Sequence, residues 1–324
     1  MTGLADSKVA VVTDSTASLP QSWAAAAGVD VLPLHVVLGR DSLAEGVEIT
    51  GAQVAELLRA GKQSVTTSGP SPGEFVEFYR DVAQRRGVHH IVSVHLSGRI
   101  SRTIESAHLA AAAVRADVEV TVIDSRTLGL AMGYAVCSGA ALASGGASAE
   151  DVAGHIRAGV AECSAYFYVD TLEFLRRGGR IGAASALLGG ALAIKPLLTV
   201  ADGEVKPWER VRTRAKAMAR LQAQTVADVE AHQRAGRAVK VGVHHCDAAE
   251  RAQLFAAQIS TATRAVATSS HLGATLADAP GSGAHVHVDV VELGAVTAVH
   301  TGPGTLAVVV SPVALSTPSE GAPT

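Results

Sequence analysis

Short apolar runs alternate with amphipathic segments along the first half of the chain. The runs at 9–12, 29–38, 89–96 and 118–124 are rich in β-branched residues and predict strands. The segments between them show helical spacing and predict helices. Strands that alternate with helices at this spacing are typical of a parallel sheet with helices on both faces. We therefore expect an N-terminal α/β domain over residues 1–160.

The second half follows a different pattern. Residues 197–211 indicate a hairpin that turns at Asp202-Gly203, a strong signal for adjacent antiparallel strands. The other predicted elements are strands at 166–169, 239–245, 284–293 and 305–311 and helices at 171–177, 213–235 and 248–259. We expect a C-terminal mixed-sheet α/β domain over residues 161–316, followed by a disordered tail at 317–324.

Hydroxyl side chains are concentrated where helices begin. Ser97 and Ser101 lie on either side of the turn at Gly98, between the strand at 89–96 and a helix predicted at 102–115. The unpaired N–H groups and the dipole at such a helix start favour an anion, although the hydroxyls could equally serve as caps.

A second cluster precedes another predicted helix. That helix begins with a capping box formed by Ser71 and Glu74, with Pro72 at its first position. Thr66, Thr67 and Ser68 are expected on the loop before that helix. A third cluster, Thr13 to Thr16, follows the first strand, where α/β sheets place ligands; hydrogen bonds within the loop are the alternative explanation.

Composition excludes several classes of protein. The 324 residues are 48% hydrophobic, yet no apolar run approaches the ~20 residues of a membrane span, so we expect no integral membrane association. The apolar stretch at 9–12 is too short for a signal peptide. Three unclustered cysteines suit a reducing cytoplasm. A net charge of −3 and 3% aromatic residues argue against nucleic acid as a partner.

Cofactor and metal motifs are weak. Gly61-Lys62 is followed by Gln63, which excludes a phosphate-binding P-loop. The histidines at 244, 245, 285 and 287 lack a further ligand at a recognisable spacing, so we expect neither a metal nor a cofactor.

Several motifs occur together in a fixed order. They are TDST (13–16), TTSGPS (66–71), LSGRIS-x-T (96–103), IDS (123–125), LEFLRRGGRI (172–181), IKPLLTVADGEV (194–205), VRT (211–213) and HTGPG (300–304). This set resembles the DegV family of bacterial fatty-acid-binding proteins over nearly the whole chain. The resemblance implies two α/β domains that enclose one long-chain fatty acid. It also implies a protein without catalysis of its own, which presents the acyl carboxylate to a separate fatty acid kinase that makes the acyl phosphate.

The resemblance also implies roles for individual residues. The carboxylate site would comprise Thr67, Ser101 and His300, with Ser68, Ser97 and the Gly98 backbone close by, and Arg180 and Arg212 would meet the partner kinase. Two positions depart from the family pattern: Gly69 replaces the usual glutamine, and Arg102 replaces a glycine. The roles of Arg102 and of nearby Arg99 stay open.

Two alternatives remain at this point. The chain could be a hydrolase or phosphotransferase that acts through His300 or a serine. It could instead bind a different small organic acid in an altered pocket. If the ligand is a fatty acid, we expect a narrow pocket lined by Ala, Val, Leu and Ile. If it is a small organic acid, we expect a wide polar cleft.

Overall fold

The computed structural model describes residues 9–187, 195–270 and 286–313. The strands are β1 Val9–Asp14, β2 Asp30–Leu32, β3 His35–Leu38, β4 Asp41–Ala44, β5 Val65–Ser68, β6 His90–His95, β7 Glu119–Asp124, β8 Ser164–Tyr168, β9 Lys195–Ala201, β10 Glu204–Val211, β11 Ala238–His245, β12 His287–Glu292 and β13 Leu306–Val313. The helices are α1 Gln21–Ala27, α2 Gly51–Ala60, α3 Pro72–Arg86, α4 Thr103–Ala113, α5 Leu130–Ser144, α6 Ala149–Ala161, α7 Glu173–Arg177, α8 Arg214–Arg234, α9 Ala249–Ser270 and α10 Ala295–Thr301.

The first sheet is parallel throughout, as the sequence predicts. Its strand order is β2-β1-β6-β7. Phe75 and Tyr79 of α3 are fully buried against one face, and Met132 of α5 and Ile156 of α6 are fully buried on the other side of the sheet. Helices on both faces leave the carboxyl ends of the strands as the edge where loops can form a site.

The second sheet is mixed. Its order is β10-β9-β8-β13-β11-β12, in which only β11 and β12 run parallel. The predicted hairpin turn is present: Asp202 and Gly203 both have positive φ, at 53° and 80°, as a tight hairpin turn requires. Leu221 of α8 and Ile259 of α9 are fully buried on one face of this sheet. The protein is thus a mixed α/β protein with an N-terminal parallel sheet and a C-terminal mixed sheet.

A small antiparallel sheet, β4-β3-β5, was not predicted. The single strand expected at 29–38 is wrong, because the chain leaves β2 at Pro33, which has no N–H to donate to a ladder. The loop expected at Thr66–Ser68 is also wrong, since β5 pairs there with β3.

Helix α10 was not predicted either, and it joins the two halves of the chain. It lies between β12 and β13 in sequence, yet Val296, Ala298 and Val299 belong to the hydrophobic core of the N-terminal half. The predicted boundary near residue 160 falls at the end of α6, just before β8, and stays a prediction. The tail at 317–324 lies outside the described residues.

Among the described helices, none combines the length and the apolar character that crossing a bilayer needs.

Candidate ligand-binding site

A largely aliphatic cavity lies between the mixed sheet and the loops of the N-terminal half. It holds ≈ 1010 Å³ of space, its open mouth included. The aliphatic walls are Leu34, Leu96, Ile100, Leu128, Leu293 and Val296 on the N-terminal side and Ala165, Val200, Val205, Ala307 and Val309 on the sheet. Aliphatic lining agrees with the sequence prediction, although Tyr166 and Phe167 contribute two aromatic rings.

Thr67 and His300 meet in the wall of this cavity. Oγ1 of Thr67 lies 2.8 Å from Nε2 of His300. Thr67 is held on β5 by its pairing with Val36, and His300 lies in the last turn of α10. Gly178 makes room for the ring, because a Cβ at that position would lie 2.1 Å from Nδ1 of His300.

The imidazole of His300 is neutral at neutral pH. Burial, together with a smaller effect of the Arg180 charge, lowers its pKa to about 4. Within the described ranges, Nδ1 of His300 has no hydrogen-bond partner. A proton on Nε2 is therefore favoured over one on Nδ1, since an unpaired buried N–H is costly. Nε2 then donates to Thr67, and the Thr67 hydroxyl is left to donate into the cavity.

Ser101 lines the same cavity from the turn before α4. Its Oγ accepts the Thr103 N–H at 3.3 Å and lies 2.9 Å from Oγ1 of Thr103. Arg102, the N-cap residue of α4, makes no side-chain cap, so the hydroxyl of Ser101 serves the helix start. Ser68 and Gly69 complete this end of the wall. A Cβ at Gly69 would lie 2.7 Å from Oγ1 of Thr103, so a larger residue would displace Thr103.

Ser97 and Gly98 bond in other directions. The Ser97 hydroxyl donates to the Gly203 carbonyl at 2.6 Å, which ties the turn to the β9–β10 hairpin. The Gly98 N–H donates to Oδ1 of Asp124 at 3.2 Å. The structure thus brings Thr67, Ser68, Ser101 and His300 to the cavity, whereas Ser97 and Gly98 support the turn that carries Ser101.

The arginines separate into two groups. Arg180 lines the cavity, and its Nε donates to the Ile100 carbonyl at 3.1 Å. Arg212 is exposed at the end of β10. Arg102 is also exposed, and Nε of Arg99 lies 3.0 Å from Oε1 of Glu204. Motif matching did not predict that Arg180 would share a wall with the head-group candidates.

An open depression adjoins the cavity at Thr67, Arg180 and His300. Its ≈ 980 Å³, open solvent included, is bounded by a further set of residues that includes Gln63, Ser64 and Arg177. Because the three shared residues line both spaces, a group bound between them would be accessible from outside.

The histidines set aside as metal ligands have other surroundings. His244 and His245 are buried, and His287 is exposed with Nε2 2.7 Å from Oδ1 of Asp289. His285 lies outside the described residues. Across the described part of the chain, no group of three or more His, Cys, Asp or Glu side chains could hold a metal ion.

Residues 69–73, GPSPG, have the Gly-X-Ser-X-Gly spacing of serine hydrolases. Ser71 is the predicted cap of α3, and the structure shows that capping box: Oγ of Ser71 accepts the Glu74 N–H and donates to Oε2 of Glu74 at 2.7 Å. His35 contacts the other oxygen of Glu74. In the Ser-His-Asp arrangement the serine hydroxyl bonds a histidine, whereas the Ser71 hydroxyl bonds the carboxylate of Glu74.

Fold and site together define a two-domain α/β protein with an aliphatic cavity that ends in hydroxyl and imidazole groups. The family model described as "Uncharacterised protein, DegV family" matches residues 8–285. The chain belongs to the DegV family. A DegV domain-containing protein of Streptomyces coelicolor is 42% identical over 303 residues, which cover 94% of this chain and 98% of that protein.

Two solved structures are similar over the same extent. A DegV family protein of Thermus thermophilus, described in terms of its fatty acid binding, is 34% identical with a TM-score of 0.76. DegV of Bacillus subtilis, described as a fatty acid binding protein, is 30% identical with a TM-score of 0.79. Each comparison covers 94% of this chain and 99% of the other.

Proposed function

We propose that this protein binds one long-chain fatty acid in the cavity and presents its carboxylate to a separate fatty acid kinase. The observation that carries the proposal is the Thr67–His300 pair at the end of an aliphatic cavity. Similarity to two fatty-acid-binding members of the family supports the same ligand class.

The energetics of binding assign different roles to the tail and the head group. A C16 tail buries about fourteen methylenes, or on the order of 11 kcal/mol gross at ~0.8 kcal/mol each. Hydrogen bonds to a charged carboxylate add only about 1.5–3 kcal/mol apiece, and ordering the tail opposes both contributions. The tail therefore supplies affinity, and the head-group site sets the direction in which the acid enters.

The head group would be held by hydroxyl donors. The Thr67 hydroxyl, oriented by neutral His300, donates into the cavity, and Ser101 and Ser68 offer further hydroxyls. A carboxylate in an apolar cavity needs such a set of donors.

Presentation to a kinase is supported by the depression outside Thr67, Arg180 and His300. Phosphoryl transfer needs a phosphate cradle and carboxylates that hold Mg²⁺, and the proposal assigns both to the partner. Arg180 and Arg212 would contact the partner or its nucleotide. The proposal also includes a cytoplasmic location, which the three free cysteines support.

The test combines the purified protein, palmitate, ATP and a matching kinase. We expect neither ATP hydrolysis nor loss of palmitate from the protein alone, and acyl phosphate once the kinase is added. Arg180→Ala should retain palmitate binding and lose acyl phosphate formation, whereas Arg115→Ala, an exposed arginine beyond the far end of α4, should match the wild type. Loss of palmitate binding in Arg180→Ala, with normal phosphorylation of whatever is bound, would contradict the role given to Arg180.

A further inference from the structure

His244 lies in the cavity wall on a different element from the head-group candidates. It belongs to β11, is 1% exposed and lines the cavity. Its Nε2 accepts the backbone N–H of Leu130 at 3.1 Å.

This hydrogen bond fixes the position of the imidazole proton. Burial, with a smaller contribution from His245, lowers the pKa of His244 to about 3, so the ring is neutral. Because Leu130 N–H is the donor, Nε2 carries the lone pair and the proton lies on Nδ1. Nδ1 of His244 finds no hydrogen-bond partner among the described residues, although a buried donor without an acceptor is unfavourable.

The imidazole of His244 lies on the face of the mixed sheet that lines the cavity. A Cβ at Gly129 would lie 3.1 Å from Nε2 of His244, so this edge of the ring contacts the turn before α5. On the sheet, His244 pairs with Ala307, whose side chain also lines the cavity.

Thr16 offers an acceptor beside the same turn. Its hydroxyl donates to Oδ1 of Asp14, which leaves the lone pairs of Oγ1 unused by that bond. Thr16 is 2% exposed and lines the cavity. The Thr16 carbonyl accepts the Gly129 N–H at 2.7 Å. The next N–H along the chain, that of Leu130, bonds His244, so Thr16 and His244 are both held to the turn before α5.

We propose that Nδ1–H of His244 and Oγ1 of Thr16 form a second polar subsite, which binds a hydroxyl group on the acyl chain of a hydroxylated fatty acid. The inference rests on the proposed function and refines its ligand class. A ligand hydroxyl can accept from His244 and donate to Thr16 together. A keto oxygen can only accept, and a methylene can do neither.

The test is competition against a bound fluorescent fatty acid on the full-length protein. The competitors are stearate, hydroxystearates with the hydroxyl placed successively along the chain, and the keto analogue of the best isomer. One hydroxystearate should bind about 3- to 10-fold more tightly than stearate, and its keto analogue should gain less. If stearate binds and no hydroxystearate binds more tightly than stearate, the hydroxyl subsite is contradicted while the proposed function stands. If neither stearate nor any hydroxystearate binds, the proposed function fails with it.

Two variants assign the preference to its residues. Thr16→Val and His244→Phe should each lower the affinity ratio of the best hydroxystearate to stearate toward one. Thr225→Val, a buried threonine of α8 whose hydroxyl donates to the Leu221 carbonyl, should keep the wild-type ratio. A ratio that survives in both Thr16→Val and His244→Phe would overturn the assignment.

A direct readout on the wild type does not depend on either variant folding. Long-range ¹H–¹⁵N spectra should show His244 as the Nδ1–H tautomer. Its Nδ1 signal should shift with the best hydroxystearate and stay near its stearate-bound position with the other isomers. An Nε2–H tautomer would contradict the proposal.

Discussion

Oγ1 of Thr67 lies 2.8 Å from Nε2 of His300, although 233 positions separate the two residues. The contact exists because α10 packs into the core of the N-terminal half, where it meets the small β4-β3-β5 sheet. It joins the two halves of the chain at the end of an aliphatic cavity.

Removal of the Thr67 hydroxyl tests the head-group site. Thr67→Val keeps the shape of the side chain but loses the donor to the carboxylate. We expect the Kd for palmitate, measured by titration calorimetry, to rise about tenfold or more, as loss of a hydrogen bond to a charged group implies. Thr66→Val, an exposed neighbour on the same strand, is the control and should bind as the wild type does. Equal affinities for both variants would count against Thr67.

The close approach of Gly178 to His300 yields a steric prediction. Gly178 has φ −73° and ψ −10°, so alanine fits the backbone, but its Cβ would lie 2.1 Å from Nδ1 of His300. Gly178→Ala should displace the ring, weaken palmitate binding and lower the free energy of unfolding by about 1–3 kcal/mol.

The matched control is Gly154→Ala in the middle of α6, where an added Cβ meets nothing within 4 Å. That variant should gain about 0.5–1 kcal/mol of stability and bind palmitate normally. Urea unfolding and titration of each variant separate the two outcomes. Normal palmitate affinity in Gly178→Ala would show that His300 tolerates displacement.

Two histidines, the buried His244 and the half-buried His300, make stability depend on pH. The folded-state pKa of His300 is lowered to about 4 and that of His244 to about 3, against ~6.5 in the unfolded chain. The unfolded state therefore binds more protons below pH 6.5, and stability falls as the pH drops from there toward 4. Each histidine contributes about 1.4 kcal/mol per pH unit inside that window.

Urea unfolding at pH 7, 6 and 5 measures this slope. His300→Asn should have a shallower slope than the wild type, and Thr66→Val, which removes no titratable group from an exposed position, should keep the wild-type slope. A His300→Asn variant with the same slope as the wild type would contradict a lowered pKa of His300.

Glu45 connects the N-terminal half to the start of α10. Its Oε1 accepts the Val296 N–H at 2.8 Å, and burial raises its pKa. Because the folded state holds this proton more tightly than the unfolded state, stability is lost as pH rises above ~4.5 through the raised pKa. Glu45→Gln keeps an acceptor without a charge, so its stability relative to wild type should increase between pH 4.5 and 8.

Glu48→Gln provides the comparison, since Glu48 accepts the Ala44 N–H in an exposed position. Thermal melts across this pH range should show a much smaller change for Glu48→Gln. Glu45→Ala, which lacks the acceptor, should be about 0.5–2 kcal/mol less stable than Glu45→Gln. A Glu45→Gln variant that loses stability relative to wild type as pH rises would contradict the raised pKa.

Much of the fold is encoded locally. The strand β1 and the buried stripe of Phe75 and Tyr79 follow from hydrophobic spacing alone, and Asp202-Gly203 specifies its turn through two positive φ angles. The parallel sheet, its two helical layers and the mixed sheet were therefore predictable.

The elements that build the site are encoded by tertiary contacts. Val65–Ser68 contains a single apolar residue, and its strand conformation comes from pairing with β3. Ala295–Thr301 is rich in β-branched residues, which favour strands, and burial among the N-terminal core residues makes it a helix. Motif matching selected Thr67, Ser101 and His300 as candidates without either element, and the three line one cavity. It could not place Arg180 in the same wall or predict the hydrogen bond from Ser97 to the Gly203 carbonyl.

Identification of the bound lipid tests the central claim most directly. The purified protein is denatured and extracted with organic solvent, and the extract is analysed by mass spectrometry alongside extracts of Thr67→Val and Thr66→Val. The account predicts close to one long-chain fatty acid per molecule in the wild type and in Thr66→Val, and less in Thr67→Val. An extract that contains a small polar acid in place of a fatty acid, or a wild type that neither carries nor binds any long-chain acid, would contradict it.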